Sequence, residues 1–135
     1  MGTVQVRVRV AGEQYALPVE QVVEVVRYAG VTPVPGAPDA VLGLHNLRGE
    51  ILTVIDPAPA LRLRNRGRPS RLIVAGDEDR GVCLAVDEVL GIDALSEGTP
   101  EPGLGCIRAT TIVDGALVGL LDVGALLDSV AKDAR

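Results

Sequence analysis

Val4, Val6, Val8 and Val10 alternate with Gln5, Arg7 and Arg9, a period of two that turns one face of a strand toward a core and the other toward water. Residues 11–14 read as a turn and residues 15–19 as a second strand. Residues 20–28 read as a short helical turn feeding a strand through Val25 and Val26. The stretch T-P-V-P-G-A-P, from Thr32 to Pro38, carries three prolines; each fixes φ and removes a backbone donor, so the segment is a rigid connector. One helical turn is predicted over 39–42, stopped by Gly43. Two strands, 44–47 and 50–55, follow about an Arg48–Gly49 turn and end at Asp56-Pro57 and Pro59.

Further along, strands are predicted at 71–75, 82–86 and 89–92, with an exposed acidic turn at 76–80 between the first two. Residues 96–105 form a Pro/Gly-rich loop. Residues 107–113 and 116–121 flank Asp114-Gly115, a dipeptide that suits a two-residue hairpin because glycine tolerates positive φ. Asp122 is placed to cap a terminal helix whose apolar face is Val123, Leu126, Leu127 and Val130. About ten short strands at this spacing indicate a mainly β chain. One sheet of that size would expose long edges, so the pattern predicts two five-stranded barrels and a short C-terminal helix. The first barrel is placed over 14–66, the second over 67–128 together with the N-terminal strand 3–11. No repeat between the halves is visible in the sequence.

Composition sharpens this picture. The chain has 135 residues, enough for one compact domain or two small barrels sharing a boundary. Its apolar supply is aliphatic: 21 valines, two tyrosines, no phenylalanine and no tryptophan. Valine suits the pleated strand, while the shortage of aromatic rings removes the usual platform for stacking nucleobases. The net charge is −5, which disfavours nucleic acid and anionic membranes as partners. Against that average stand Arg62, Arg64, Arg66, Arg68 and Arg71, a window with no acid that carries +5 and leaves −10 on the remainder. Gly67, Pro69 and Ser70 inside it make the window a solvated loop.

Candidate chemistry is sparse. Cys83 and Cys106 lie far apart in apolar runs and His45 is the sole histidine, so no metal-ligating cluster forms and the thiols read as reduced core residues of a cytoplasmic protein. Ser70, Ser96 and Ser129 have no G-x-S-x-G context; a catalytic reading would need Cys83 or Cys106 beside His45. The G-x-G of Gly103 and Gly105 meets Arg108 where a third glycine belongs, and no phosphate-binding loop or calcium-loop pattern occurs. No stretch has the length of a membrane span and the N-terminus is no signal peptide. No catalytic, cofactor or metal site is therefore expected. Glu24 among Val22, Val23, Val25 and Val26, and Arg48 beside Leu47 and Gly49, are lone charges in apolar surroundings. Either they pair, as guanidinium and carboxylate can, or each points into water from its own strand.

In this order the segments Y-A-L-P-V-E-Q-V-V-E-V-V-R (Tyr15 to Arg27), the proline connector, V-L-G-L-H-N-L-R-G-E-I-L (Val41 to Leu52), V-I-D (Val54 to Asp56), A-V-D-E-V-L-G-I (Ala85 to Ile92) and L-L-D-V-G-A-L-L (Leu120 to Leu127) resemble the CheW-like domain, the adaptor of bacterial chemosensory arrays. The resemblance implies two five-stranded SH3-like barrels and no enzyme activity. It implies binding to the cytoplasmic hairpin tip of a chemoreceptor and to the regulatory domain of the histidine kinase CheA, beside membrane-bound arrays in the cytoplasm. Carried over, Glu24 and Arg48 form an ion pair, and Val22, Gly43 and Arg48 lie on or beneath the receptor-facing surface. Val89, Leu90 and Gly91 are candidates for the kinase-facing side. Apolar exposed patches are then expected near Val22 and Val89. A CheA regulatory domain, an adaptor of a non-flagellar array and a small-ligand-binding barrel are the alternatives, the last marked by a deep enclosed pocket.

Overall fold

The computed structural model describes residues 2–77 and 80–133, with the side chains of 76–80, 132 and 133 left aside. The expected acidic turn therefore lies largely outside the described residues. Eleven strands and one helix follow in order: β1 (Thr3–Val10), β2 (Glu13–Pro18), a 3-10 turn (Val19–Gln21), β3 (Val22–Arg27), β4 (Val41–Leu47), β5 (Glu50–Ile55), β6 (Arg71–Asp77), β7 (Arg80–Val86), β8 (Glu88–Leu95), β9 (Thr99–Pro100), β10 (Ile107–Val113), β11 (Ala116–Leu121) and α1 (Val123–Asp133). The helical turn expected over 39–42 is instead a tight turn, Val41 N donating to Pro38 O at 2.9 Å, and β4 starts at Val41. Proline at 38 supplies an acceptor but no donor, so the turn hands directly to a strand.

The strands form two sheets, β8-β1-β2-β11-β10-β9 and β3-β6-β7-β5-β4, the two SH3-like subdomains. The two-residue β9 is an addition to the five strands expected in the second of them. Sheet membership moves the boundaries expected from sequence. β6 and β7, placed by sequence in the second barrel, complete the first sheet through the parallel pair β5–β7; β2, placed in the first, joins β1 and the parallel partner β11. The physical reason is the tight Ala11–Gly12 turn, with φ of 50° and 88°, which keeps β1 and β2 together as one hairpin.

The two sheets share one plan. In each, two hairpins meet along a parallel pair and one outer strand flanks a hairpin, β3 beside β6–β7 and β8 beside β1–β2, with the short β9 added beside β10 in the second sheet. The second subdomain is thus β8, β10 and β11 completed by the N-terminal hairpin, a repeat the sequence did not reveal.

Strands 72–75 and 83–86 are apolar throughout because they are buried on both faces. Leu72, Val74, Cys83 and Ala85 fill the first subdomain with Leu52 and Val54. Ile73, Ala75, Leu84 and Val86 turn the other way and pack with Val6, Val8, Val10, Tyr15 and Leu17 of the second sheet. Leu126 and Val130 of α1 enter this shared core, and Asp122 caps the helix as expected, its Oδ1 accepting from Ala125 N at 3.0 Å. Leu95, Ala109, Val118 and Leu120 fill the second subdomain.

The arginine window from 62 to 70 is a loop without buried residues, as expected, with Arg71 on β6; the segment before it, 57–61, is more ordered than a solvated loop. That segment is a helical turn with Leu61 N donating to Pro57 O and Leu63 N to Ala58 O, both at 3.0 Å, and Ala58 and Leu61 are buried in the shared core. The arginines between and after these leucines are exposed.

Candidate functional site

The outer strands of the first sheet, β3 and β4, stand at opposite ends of its order, yet the chain between them brings them together. Thr32, after β3, bridges to Leu44 on β4: Thr32 N donates to Leu44 O at 2.9 Å and Leu44 N to Thr32 O at 2.8 Å. Gly43 makes this approach possible. Its φ is +151°, and a Cβ there would press on the Thr32 carbonyl, with the carbonyl carbon at 2.8 Å.

The hairpin after Gly43 turns at Arg48 and Gly49, with φ of 50° and 88°, and Gly49 N donates to Asn46 Oδ1 at 2.9 Å. This sharp turn aims the Arg48 guanidinium back across the closure at Glu24 on β3. Arg48 Nη1 donates to Glu24 Oε2 at 3.3 Å and Nη2 donates to Oε1, a bidentate pair. Sequence reasoning left pairing and separate solvation open; the structure selects pairing. The surroundings are those of a surface, with Arg48 largely exposed and Glu24 half-buried. The hydrogen bonds from Arg48 hold the Glu24 carboxyl below the usual carboxylate range, and those to Glu24 raise Arg48 further. A groove beside the pair is lined by Val23, Leu47, Glu50, Leu52 and Val74.

Val22 itself is half-buried against the shared core. The exposed apolar side chains of β3 are the alternate ones, Val23 at 69% and Val25 at 40%. Likewise Val89 packs inward, and the exposed large apolar residue of β8 is Ile92 at 62%. The patch expected near Val22 thus lies on its alternate neighbours Val23 and Val25, and near Val89 a single apolar side chain, Ile92, is exposed on β8. Gly91 sits opposite Arg7 next to a register shift between Arg7 and Val8, with φ of +154°, and Asp93 pairs with Arg7 at 3.0 Å. A further exposed apolar pair, Ile112 on β10 opposite Leu117 on β11, was not singled out from sequence. Alternation about Asp114-Gly115 places both on one face, but which face meets water depends on the rest of the sheet.

The thiols do not form a reactive pair. Cys83 is fully buried in the first subdomain and burial pushes its pKa up to about 11; Cys106 is buried too, its pKa raised chiefly by burial, and its Sγ points to Ala60 O at 3.6 Å. A thiol reagent at neutral pH is expected to label neither at an appreciable rate until the protein is unfolded. Rapid labelling of one cysteine in the native state, abolished by His45→Ala, would contradict this. Among the described residues no group of three metal-ligating side chains is present and no helix is long and apolar enough to cross a membrane.

The two subdomains thus present a paired charge between apolar strands at the surface, over buried thiols. Residues 5–131 match the CheW-like domain. The chain is 28% identical to the chemotaxis protein CheW of Rhizobium meliloti over 93% of its own length and 88% of that protein. It is 33% identical to protein FrzA of Myxococcus xanthus over 93% of its length and 86% of that protein. The crystal structure of scaffolding protein TtCheW from Thermoanaerobacter tengcongensis superposes with a TM-score of 0.80, at 27% identity over 90% of each chain. The chain belongs to the CheW-like domain family, and with that membership goes the role of chemotaxis adaptor.

Proposed function

We propose that this protein couples chemoreceptors to the histidine kinase CheA by binding alone, using two separate faces. The receptor's cytoplasmic hairpin tip docks on the first subdomain around Glu24, Arg48 and the exposed Val23, with Val22 and Gly43 supporting that face from beneath. The kinase's regulatory domain docks on the second subdomain along β8, around Val89, Leu90 and Gly91. The protein works in the cytoplasm, held at membrane-bound receptor arrays through these contacts. The observation that carries the reading is the Glu24–Arg48 pair, which ties the closure of the first subdomain to a charged surface flanked by apolar side chains. Aliphatic contacts supply affinity there, while the fixed guanidinium sets orientation.

The test is binding of the purified chain to a receptor-tip hairpin and to a CheA regulatory domain. Arg48→Glu sets two carboxylates side by side and is expected to weaken receptor binding about tenfold or more, leaving kinase binding intact. The double exchange Glu24→Arg with Arg48→Glu restores the pair but reverses its polarity. Recovery of receptor binding in that variant would assign the pair a positioning role; continued loss would place the guanidinium in contact with the receptor. Undiminished receptor binding by Arg48→Glu, or no binding by the unaltered chain, would overturn the proposal.

A further inference from the structure

The arginine window belongs to neither proposed face, and its structure is that of a fixed platform. Asp56, nearly buried, accepts from Ala58 N at 2.9 Å and starts the helical turn. Arg66 then reaches back to Asp56 Oδ2 at 3.5 Å. Gly67 lies so close to the Asp87 carboxylate that a Cβ would overlap it, and Ser70 closes the loop through its N to Val86 O at 2.9 Å and its hydroxyl to Asp87 O. Buried Ala58 and Leu61 anchor the other end. The side chains on this platform are thus carried by ordered backbone.

Apart from that of Arg66, their charges meet no carboxylate within the described structure. The described ion pairs are Arg7–Asp93, Arg9–Glu88, Arg48–Glu24 and Arg66–Asp56. Arg62, Arg64, Arg68 and Arg71 reach no described carboxylate, and all four are exposed. A second observation comes from the neighbouring strand: Arg27, also exposed, is the direct register partner of Arg71 across β3 and β6. Like charges directly opposite one another destabilise a strand pair. An anion seated over both would relieve that repulsion.

We infer that the arginine platform, Arg62 to Arg71 with Arg27 opposite its end, is a docking surface for a carboxylate-rich segment of a partner protein. Guanidinium groups meet carboxylates bidentately, and a fixed set of them selects a short acidic run over diffuse negative charge. The net charge of −5 and the absence of phenylalanine and tryptophan, with Tyr15 buried and Tyr28 half-buried against the first-subdomain core, disfavour nucleic acid, which would seek stacking and a broadly basic field. They disfavour an anionic bilayer for similar reasons, since the one ring beside the arginines, Tyr28, packs half-buried against the core of the first subdomain.

The test uses the full chain with a labelled polyglutamate peptide of about ten residues at low salt, read by fluorescence anisotropy, where unscreened charge contacts are strongest. The triple variant Arg64→Gln, Arg68→Gln, Arg71→Gln is expected to bind the peptide about tenfold more weakly, while Arg108→Gln, an exposed arginine elsewhere, changes nothing. If the triple variant loses its fold by circular dichroism, Arg68→Glu alone takes its place and is expected to weaken binding in the same direction. Equal binding by the platform variants and the unaltered chain would overturn the inference. So would tighter platform-dependent binding of duplex DNA or phosphatidylserine vesicles than of the peptide, or salt-sensitive self-association that the platform variants abolish.

Discussion

Gly43→Ala is expected to destabilise the protein by about 3 kcal/mol or more and to abolish receptor binding, read as a lower urea midpoint and a lost binding signal. The methyl group would overlap the Thr32 carbonyl and lie 3.1 Å from Val31 Cγ2. That carbonyl accepts from Leu44 N, so relief of the overlap breaks the two hydrogen bonds that close the first subdomain. The displaced strand is β4, whose hairpin carries Arg48, and the pair with Glu24 would move with it. Gly91→Ala provides the comparison. Its φ of +154° carries a similar backbone strain, but the nearest atom to an added Cβ is Asp93 Oδ2 at an ordinary 3.5 Å. It is expected to cost about 1 kcal/mol. Equal losses from the two substitutions would show that backbone strain, and not the close approach of Thr32, makes Gly43 necessary.

Leu126→Ala is expected to cost about 2–5 kcal/mol, the range for removing a fully buried leucine without collapse of the surroundings. Leu126 is completely inaccessible and stands in the core shared by the two sheets, so the cavity would open where both subdomains and α1 meet. The helix cannot easily shift to fill it. Its start is held by the Asp122 cap and by Asp122 N donating to Cys106 O at 2.8 Å. Leu127, half-buried at the margin of that core, should cost well under half as much when replaced by alanine. A urea midpoint no lower for Leu126→Ala than for Leu127→Ala would refute α1 as the clamp on the shared core.

Local chemistry made much of this molecule readable in advance. The valine alternation of β1, the Asp114-Gly115 hairpin and the Asp122 cap each depend on neighbours within a few residues; the hairpin and the cap form as expected, and the alternation holds from Val6 to Val10 but fails before it, where Val4 is exposed and Gln5 is buried. The Glu24–Arg48 pair could be nominated because a lone charge in an apolar setting demands a partner, though separate solvation remained open until the closure at Thr32 and Leu44 was seen. Exposure was harder. Val22 and Val23 have the same side chain, and only the packing of β3 decides that Val22 turns inward and Val23 faces water.

By itself, then, the sequence determined the element types, most turns, the aliphatic core and the family likeness, because these are written in period, turn chemistry and ordered motifs. Only the tertiary structure decided that β2 joins β11 and β7 joins β5, that the second subdomain borrows the N-terminal hairpin to repeat the plan of the first, and that Leu61 anchors a platform of exposed arginines. The parallel pairing of Gln14 with Val118 joins residues from opposite ends of the chain. Many apolar strands could satisfy a given strand edge equally well by local pattern. The choice among them is made by simultaneous burial of both faces in one shared core, a condition that belongs to the assembled sheets and to no single segment.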